Sequence, residues 1–324
     1  MVERQCFTRT SSIPGELNCE LSPGAHSVTL APPEDRTFPL GRPPRAVPAF
    51  LQALHTIRRQ VLLAIWVVTI GQWTSTALGA ETRTHPPPLL RITVVYNNVM
   101  HTPGLKTAWG FAAVIEAGAD VVLFDTGGHG PTLLANMKRL GIDPQSIDAI
   151  VLSHIHDDHT GGLDAFLARQ PNVTVYLPRS FPAAFRRRVE QRGARVVIVN
   201  GPQRLFGNLY STGEMGDGTK EQALIADTSA GLVVITGCAH PGIVDIARAA
   251  RTYLGKDIYL LMGGFHLLGR DPEQNRATVA GLRQLAVRKV APSHCTGDAA
   301  IALFRENWKS DFIEGGCGAV IEVP

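Results

Sequence analysis

The chain has 324 residues. Residues 89–324 predict an α+β fold of the αββα sandwich class, with two packed mixed β-sheets flanked by helices. Three observations carry that prediction. Strand-like and helix-like segments mix in two successive halves, so each half can build a sheet covered by helices on one side. No fixed-period repeat runs through them, which excludes a solenoid. Six of the eleven histidines, His154, His156, His159, His240, His266 and His294, fall at ends of predicted strands beside glycine-rich turns. Scattered surface histidines would not gather at those places.

The elements follow in order. Residues 91–96 read as a strand, and 110–116 with 120–124 as a hairpin turned at Gly118. Apolar residues at helical spacing predict a helix over 131–140, stopped by Gly141. A short buried strand over 148–152 delivers the histidine run, and a helix over 163–169 follows. Next come a strand over 173–177, a basic helix over 183–192 and a strand over 195–199. The second half offers strands over 224–228 and 232–236, a helix over 243–254 and a strand over 258–262. It continues with a helix over 272–285, a strand over 289–292, a helix over 297–308 and a closing strand over 319–323. Residues 96–109 and 178–220 read as loops that would shape a pocket.

An apolar fraction of 44% and a charged fraction of 18% are those of a globular chain. The net charge of +3, from 31 basic and 28 acidic residues, is too small for a nucleic-acid footprint. Five cysteines are too few and too scattered for a disulfide framework.

The first part of the chain has another character. Residues 1–53 are rich in proline, serine and glycine without periodicity, and read as a disordered, non-native extension. Residues 54–80 have the layout of a signal peptide: Arg58-Arg59, an apolar run over 61–70, and a small-residue region ending at Ala80. The run is about half the roughly twenty residues a membrane span needs, so a cleaved signal is expected, leaving no stable span. A buried helix is the competing reading. The paired arginines resemble a Tat signal. Residues 81–88 read as a linker closed by three prolines. No methionine lies between Met1 and Met100. Translation is therefore expected to start near Leu51 or Leu54 from a non-ATG codon. N-terminal sequencing of the natural protein tests this, and a peptide containing Cys6 or Cys19 would overturn it. The expected location is exported and periplasmic, or cytoplasmic if 54–80 is no signal.

The chemistry concentrates in Ser153-His154-Ile155-His156-Asp157-Asp158-His159-Thr160-Gly161-Gly162. On extended backbone after a strand, His154 and His156 share one side. Asp158 and His159 follow at the start of the next helix and can turn toward a neighbouring point. One run can thus serve two cations. Neutral imidazole with carboxylate suits zinc, iron or manganese, and the lack of a thiolate set argues against a structural four-cysteine site.

This run resembles the signature of the metallo-β-lactamase superfamily, and the resemblance extends over about residues 90–324. Leu123-Phe124-Asp125-Thr126-Gly127 matches its first motif and implies that Asp125 supports the metal-binding loop from behind. Gly237-Cys238-Ala239-His240-Pro241-Gly242 implies His240 as the third ligand with His154 and His156. Pro292-Ser293-His294-Cys295-Thr296-Gly297 implies His294 beside Asp158 and His159. Most members carry a metal-bridging aspartate where this chain has Gly263-Gly264-Phe265-His266-Leu267. A histidine cannot bridge as a carboxylate does, so His266 either binds one metal terminally or faces the substrate. That motif, with Thr212-Gly213-Glu214 and Glu221-Gln222-Ala223-Leu224, resembles the branch named for dihydropterin-ribofuranosylaminobenzene-5′-phosphate synthase.

The resemblance implies two divalent metal ions, zinc foremost, with iron or manganese as alternatives. Asp158 and His266 are the candidate catalytic groups. The expected activity is hydrolysis of an ester, lactone or phosphoester by a hydroxide that the metals generate from water at near-neutral pH. The alternatives are a transferase of the synthase type and a mononuclear iron enzyme. A small-molecule partner is expected, anionic if the arginines at 186, 187, 188, 192 and 195 steer it. A solvated helix face is the expected role of those arginines. Cys238 and Cys295 adjoin candidate ligands, and their expected role is packing around the site.

Overall fold

The computed structural model describes residues 90–324; the readings over 1–53, 54–80 and 81–88 lie outside the described residues. Its first half opens with three antiparallel strands, β1 (Leu90–Asn97), β2 (Phe111–Ala117) and β3 (Asp120–Phe124). Helix α1 (Gly130–Arg139) then leads to β4 (Ala149–Val151), which lies parallel to β3. Two short helices follow, α2 (Asp157–Thr160) and α3 (Leu163–Leu167). Strand β5 (Thr174–Pro178), helix α4 (Ala183–Gln191) and strand β6 (Arg195–Val199) extend the parallel part. Parallel neighbours require crossovers, and the helices supply them.

The second half begins with an antiparallel meander: β7 (Gln203–Phe206), β8 (Leu209–Ser211), β9 (Leu224–Thr228) and β10 (Gly231–Thr236). Helix α5 (Ile243–Leu254) then leads to β11 (Ile258–Gly264), and α6 (Pro272–Gln284) to β12 (Lys289–Ser293), both parallel to β10. Helix α7 (Asp298–Trp308) and strand β13 (Val320–Val323) close the chain, with β13 pairing back onto β1. The first sheet has the order β13-β1-β2-β3-β4-β5-β6, the second β12-β11-β10-β9-β8-β7.

Side-chain alternation explains the layers. In β2, Phe111, Ala113 and Ile115 face the core between the sheets, while Ala112 and Val114 face the helix layer. In β10, Val233 and Ile235 enter the same central core, and Leu232 and Val234 pack under α5 and α6. Both faces of these strands are covered, hence their continuous apolar runs. Each such aliphatic or aromatic side chain contributes about 1.5–3 kcal/mol on burial.

Within 178–220 the helix read over 183–192 and the strand over 195–199 are found as α4 and β6, and the difference lies in the segment beyond them, expected as a loop. Strands β7 and β8 lie there, joined by Gly207-Asn208. Both are short, four and three residues, too few for the alternation of a strand to stand out in the sequence.

Strands β3 and β4 run parallel in one sheet, and β10, β11 and β12 in the other. Segments leaving the carboxyl ends of parallel strands are where α/β sheets place ligands. Asp125, the 154–159 run, His240, His266 and His294 all follow such ends.

Candidate metal centre

Two groups of donors assemble from these strand ends. The rings of His154, His156 and His240 form a triangle, with centroids 4.7, 4.7 and 4.8 Å apart. His154 Nε2 lies 3.1 Å from His156 Nδ1. In the second group, Asp158 Oδ2 lies 3.5 Å from His159 Nε2 and 3.3 Å from His294 Nε2. The His266 ring stands on the His240 side, with centroids 4.3 Å apart, and groups with Cys238 and Cys295.

Neighbouring residues aim the rings. The Nδ1–H of His159 donates to Asp125 Oδ2 at 2.7 Å, turning Nε2 toward the cluster. Asp125 also accepts from the amide and the hydroxyl of Ser153, each at 2.7 Å. A carboxylate behind an imidazole is the usual way to orient a metal-binding ring. For His294 the corresponding acceptor is Asn98 Oδ1, 2.8 Å from Nδ1.

Burial alone would disfavour charge on His159, but the Asp125 carboxylate lifts its pKa to about 10. Burial likewise opposes ionisation of Asp158, yet hydrogen bonds from His159 and His294 outweigh it and hold the carboxyl well below the usual range. His154 is pushed down by burial and then by the neighbouring rings of His159 and His240. Burial and the His266 ring lower His240 to about 4. His154 and His240 thus favour the neutral, lone-pair-bearing form, while Asp158 stays ionised beside them.

Glu221 and Gln222 join the two halves. Glu221 Oε1 accepts the amides of Gly237, Cys238 and Ala239 at 3.1, 2.9 and 2.9 Å, and Oε2 accepts that of His240 at 2.9 Å. Burial pushes this carboxyl up to about 7 against the amides of His240, Ala239 and Cys238. Gln222 bonds the other way: its amide donates to Ser153 O at 2.9 Å and Nε2 to Leu152 O at 2.8 Å. Gly237 allows the close approach, since a Cβ there would meet Ser153 Oγ at 2.1 Å.

Among the described residues, four of the six non-glycine residues with positive φ lie here: Asp125 (55°), Ala239 (59°), His266 (53°) and His294 (52°). Such conformations cost on the order of 1–3 kcal/mol each and persist where the surroundings over-determine them. Each marks a corner where a strand hands a side chain to the cluster.

The residues present fit divalent cations. Imidazole and carboxylate donors converge, and two buried ring nitrogens, His240 Nε2 and His266 Nδ1, have no hydrogen-bond partner. A buried polar atom left unpaired costs about 1–3 kcal/mol, which a bound cation would offset.

Sequence reasoning missed Asn98, which no local pattern marks, and the latch formed by Glu221, which it knew only as part of a motif. It also missed Trp109, whose ring centroid stands 4.8 Å from that of His294. Of the arginines, Arg187, Arg188, Arg192 and Arg195 are exposed, and Arg188 and Arg192 lie 3.8 and 3.6 Å from Asp164. Exposed pairs of this kind contribute little.

Comparison with known proteins agrees with this architecture. A model of the metallo-β-lactamase superfamily matches residues 110–244. The chain is 31% identical over 246 residues to 7,8-dihydropterin-6-methyl-4-(β-D-ribofuranosyl)-aminobenzene-5′-phosphate synthase of Methanocaldococcus jannaschii, covering 62% of this chain and 84% of that one. A solved metal-dependent hydrolase of the β-lactamase superfamily is 26% identical, covers 72% of this chain and 99% of its own, and superposes with a TM-score of 0.61. The metallo-β-lactamase fold protein YhfI from Bacillus subtilis, 14% identical with the same coverages and a TM-score of 0.53, shares the fold. From its two sheets, its strand-end histidines and these relatives, the chain belongs to the metallo-β-lactamase superfamily, in a branch resembling that synthase.

Proposed function

We propose that the protein is a metal-dependent hydrolase of an ester, lactone or phosphoester, with zinc as the first candidate metal. The observation that carries this reading is the juxtaposition of two groups, the ring triangle of His154, His156 and His240 and the donor cluster of Asp158, His159 and His294. These six residues would hold two cations, with His266 beside the first. When bound, such ions acidify water and polarise a carbonyl or phosphoryl oxygen.

The chain's own groups do the rest. Asp158 stays ionised across the neutral range, so it holds negative charge at the centre without competing for protons. Asp125 fixes the His159 ring through Nδ1. His266 presents a buried Nδ1 without a partner, placed to orient a substrate oxygen or donate to it as charge develops. The exposed faces of His156 and Trp109 mark the open side, from which a small molecule would approach.

Replacing His156 or Asp158 with alanine should strip metal and hydrolysis together. The check is elemental analysis of natively purified protein beside assays on a panel of esters, lactones and phosphoesters. Full turnover in a demonstrably metal-free preparation would sink the proposal.

The similarity to the Methanocaldococcus jannaschii synthase supports a second reading, a transferase acting on a pterin-type phosphate. Product analysis separates the two. Hydrolysis releases an acid and an alcohol, or phosphate, whereas transfer yields a condensed product.

A further inference from the structure

We infer that Cys238 is a ligand of the metal centre, its thiolate completing the Asp158, His159 and His294 group and standing between that group and His154 with His240. The inference rests on reading the site as a metal centre and assigns a donor that the superfamily signature does not include.

The geometry is that of a coordination shell. Cys238 Sγ lies 3.2 Å from His159 Nε2 and 3.4 Å from His294 Nε2. Asp158 Oδ2 lies 3.5 and 3.3 Å from the same two nitrogens. Zinc binds nitrogen and oxygen at about 2.0–2.2 Å and sulfur at about 2.3 Å, which places the donors of a tetrahedron roughly 3.3–3.6 Å apart. Four of the six edges are 3.2–3.5 Å, at or slightly below that range, and the other two lie within 4.8 Å. Nδ1 of each ring is taken up by Asp125 or Asn98, which leaves both Nε2 atoms aimed at the sulfur and at Asp158.

The sulfur also stands among several donor groups, in a chain that lacks the superfamily's bridging aspartate. Cys238 Sγ belongs to three of the donor groups: with Asp158, His159 and His294, with His154 and His240, and with His266 and Cys295. Within each group the donor atoms lie within 4.8 Å of one another. Strand β11 offers no carboxylate here. Instead Gly264 leaves room, since a Cβ on it would meet Cys295 Sγ at 2.6 Å and Cys238 Cα at 3.2 Å. The anionic atom thus comes from the neighbouring strand β10, on the corner that Glu221 holds by four amides. Binding would release the thiol proton to solvent, as metal binding to cysteine does. A thiolate here would favour zinc or iron over magnesium and manganese.

The test uses the full chain loaded with cobalt(II), with the metal-to-protein ratio measured in every sample. The readout is the near-ultraviolet sulfur-to-cobalt charge-transfer band, which needs no turnover. The wild type and a Cys295→Ala control should both show it. Cys238→Ala and Cys238→Ser, checked for folding by circular dichroism, should lose it, and their zinc affinity against a competing chelator should fall roughly tenfold or more. A cobalt-loaded wild type without the band, or a folded Cys238 variant that keeps it, would overturn the inference while the metal centre stands. A wild type that takes up no cobalt would bring down both.

Discussion

In the first half of the molecule, four candidate ligands come from six consecutive residues, His154 to His159, carried by the end of β4 and the start of α2. In the second half, Cys238, His240, His266 and His294 come from corners after three strands, β10, β11 and β12. The first arrangement is local. Extended backbone followed by one helical turn spreads the side chains whatever lies around them. The second is assembled at long range, by parallel strands that bring their carboxyl ends to one edge and by corners that only tertiary contacts can hold. The first half should therefore tolerate perturbation through its backbone, while the second should depend on its latch.

Glu221→Gln breaks that latch with little change in shape. In glutamine one of the two oxygens becomes an NH2 group facing an amide donor, and a buried donor left without an acceptor costs about 1–3 kcal/mol, which is the loss expected in denaturant unfolding. Amides 237–240 should exchange hydrogen faster, while those of 157–161 keep their protection. Equal loss of protection in both segments would mean that the halves do not differ in the way argued.

The same contrast explains what the sequence revealed. Strands with both faces covered, such as β2 and β10, announce themselves as continuous apolar runs, and α5 by its apolar stripe. The contiguous run from His154 to His159 was legible for the same reason, because its spacing is chemistry written locally. The β7–β8 hairpin was not, since strands of four and three residues carry too little alternation. Its two-residue Gly207-Asn208 turn was the one usable signal. Asn98 acts on His294 across 196 positions, a pairing no local pattern encodes. Cys238 read as packing because the ring atoms that it meets, from α2 and from the turn after β12, are ones that only the fold brings near.

The first half has a dependence within its own chain segment on Asp125, and Asp125→Asn isolates it. Asparagine tolerates the positive φ of 55° at this position, so the backbone corner survives. What is lost is the charged acceptor for His159 Nδ1 and for the two donors of Ser153. Removing such an outer partner typically weakens metal binding 10–100-fold. Zinc competition should show that loss for one of the two bound ions, leaving the ion attributed to His154, His156 and His240 less affected. Uniform weakening of both would show that the two donor groups act as one.

Trp109 tests how far the halves cooperate at the surface. It belongs to the loop between β1 and β2, yet its ring lies against His294 of the other half and is 49% exposed. Leu268, 59% exposed, sits beside Gly297 in the segment that follows His294. Two large apolar side chains from opposite halves thus stand open near the cluster. An aromatic contact contributes about 0.5–1.5 kcal/mol beyond its area, up to roughly tenfold in affinity. Trp109→Ala should therefore raise KM up to roughly tenfold for an ester with an aromatic group and little for its methyl counterpart, with kcat held. Steady-state kinetics on the two esters decide the matter. A fall in kcat at constant KM would instead show that the indole acts by holding the His294 ring. The second half would then depend on the first for the orientation of a ligand as well as for the shape of the pocket.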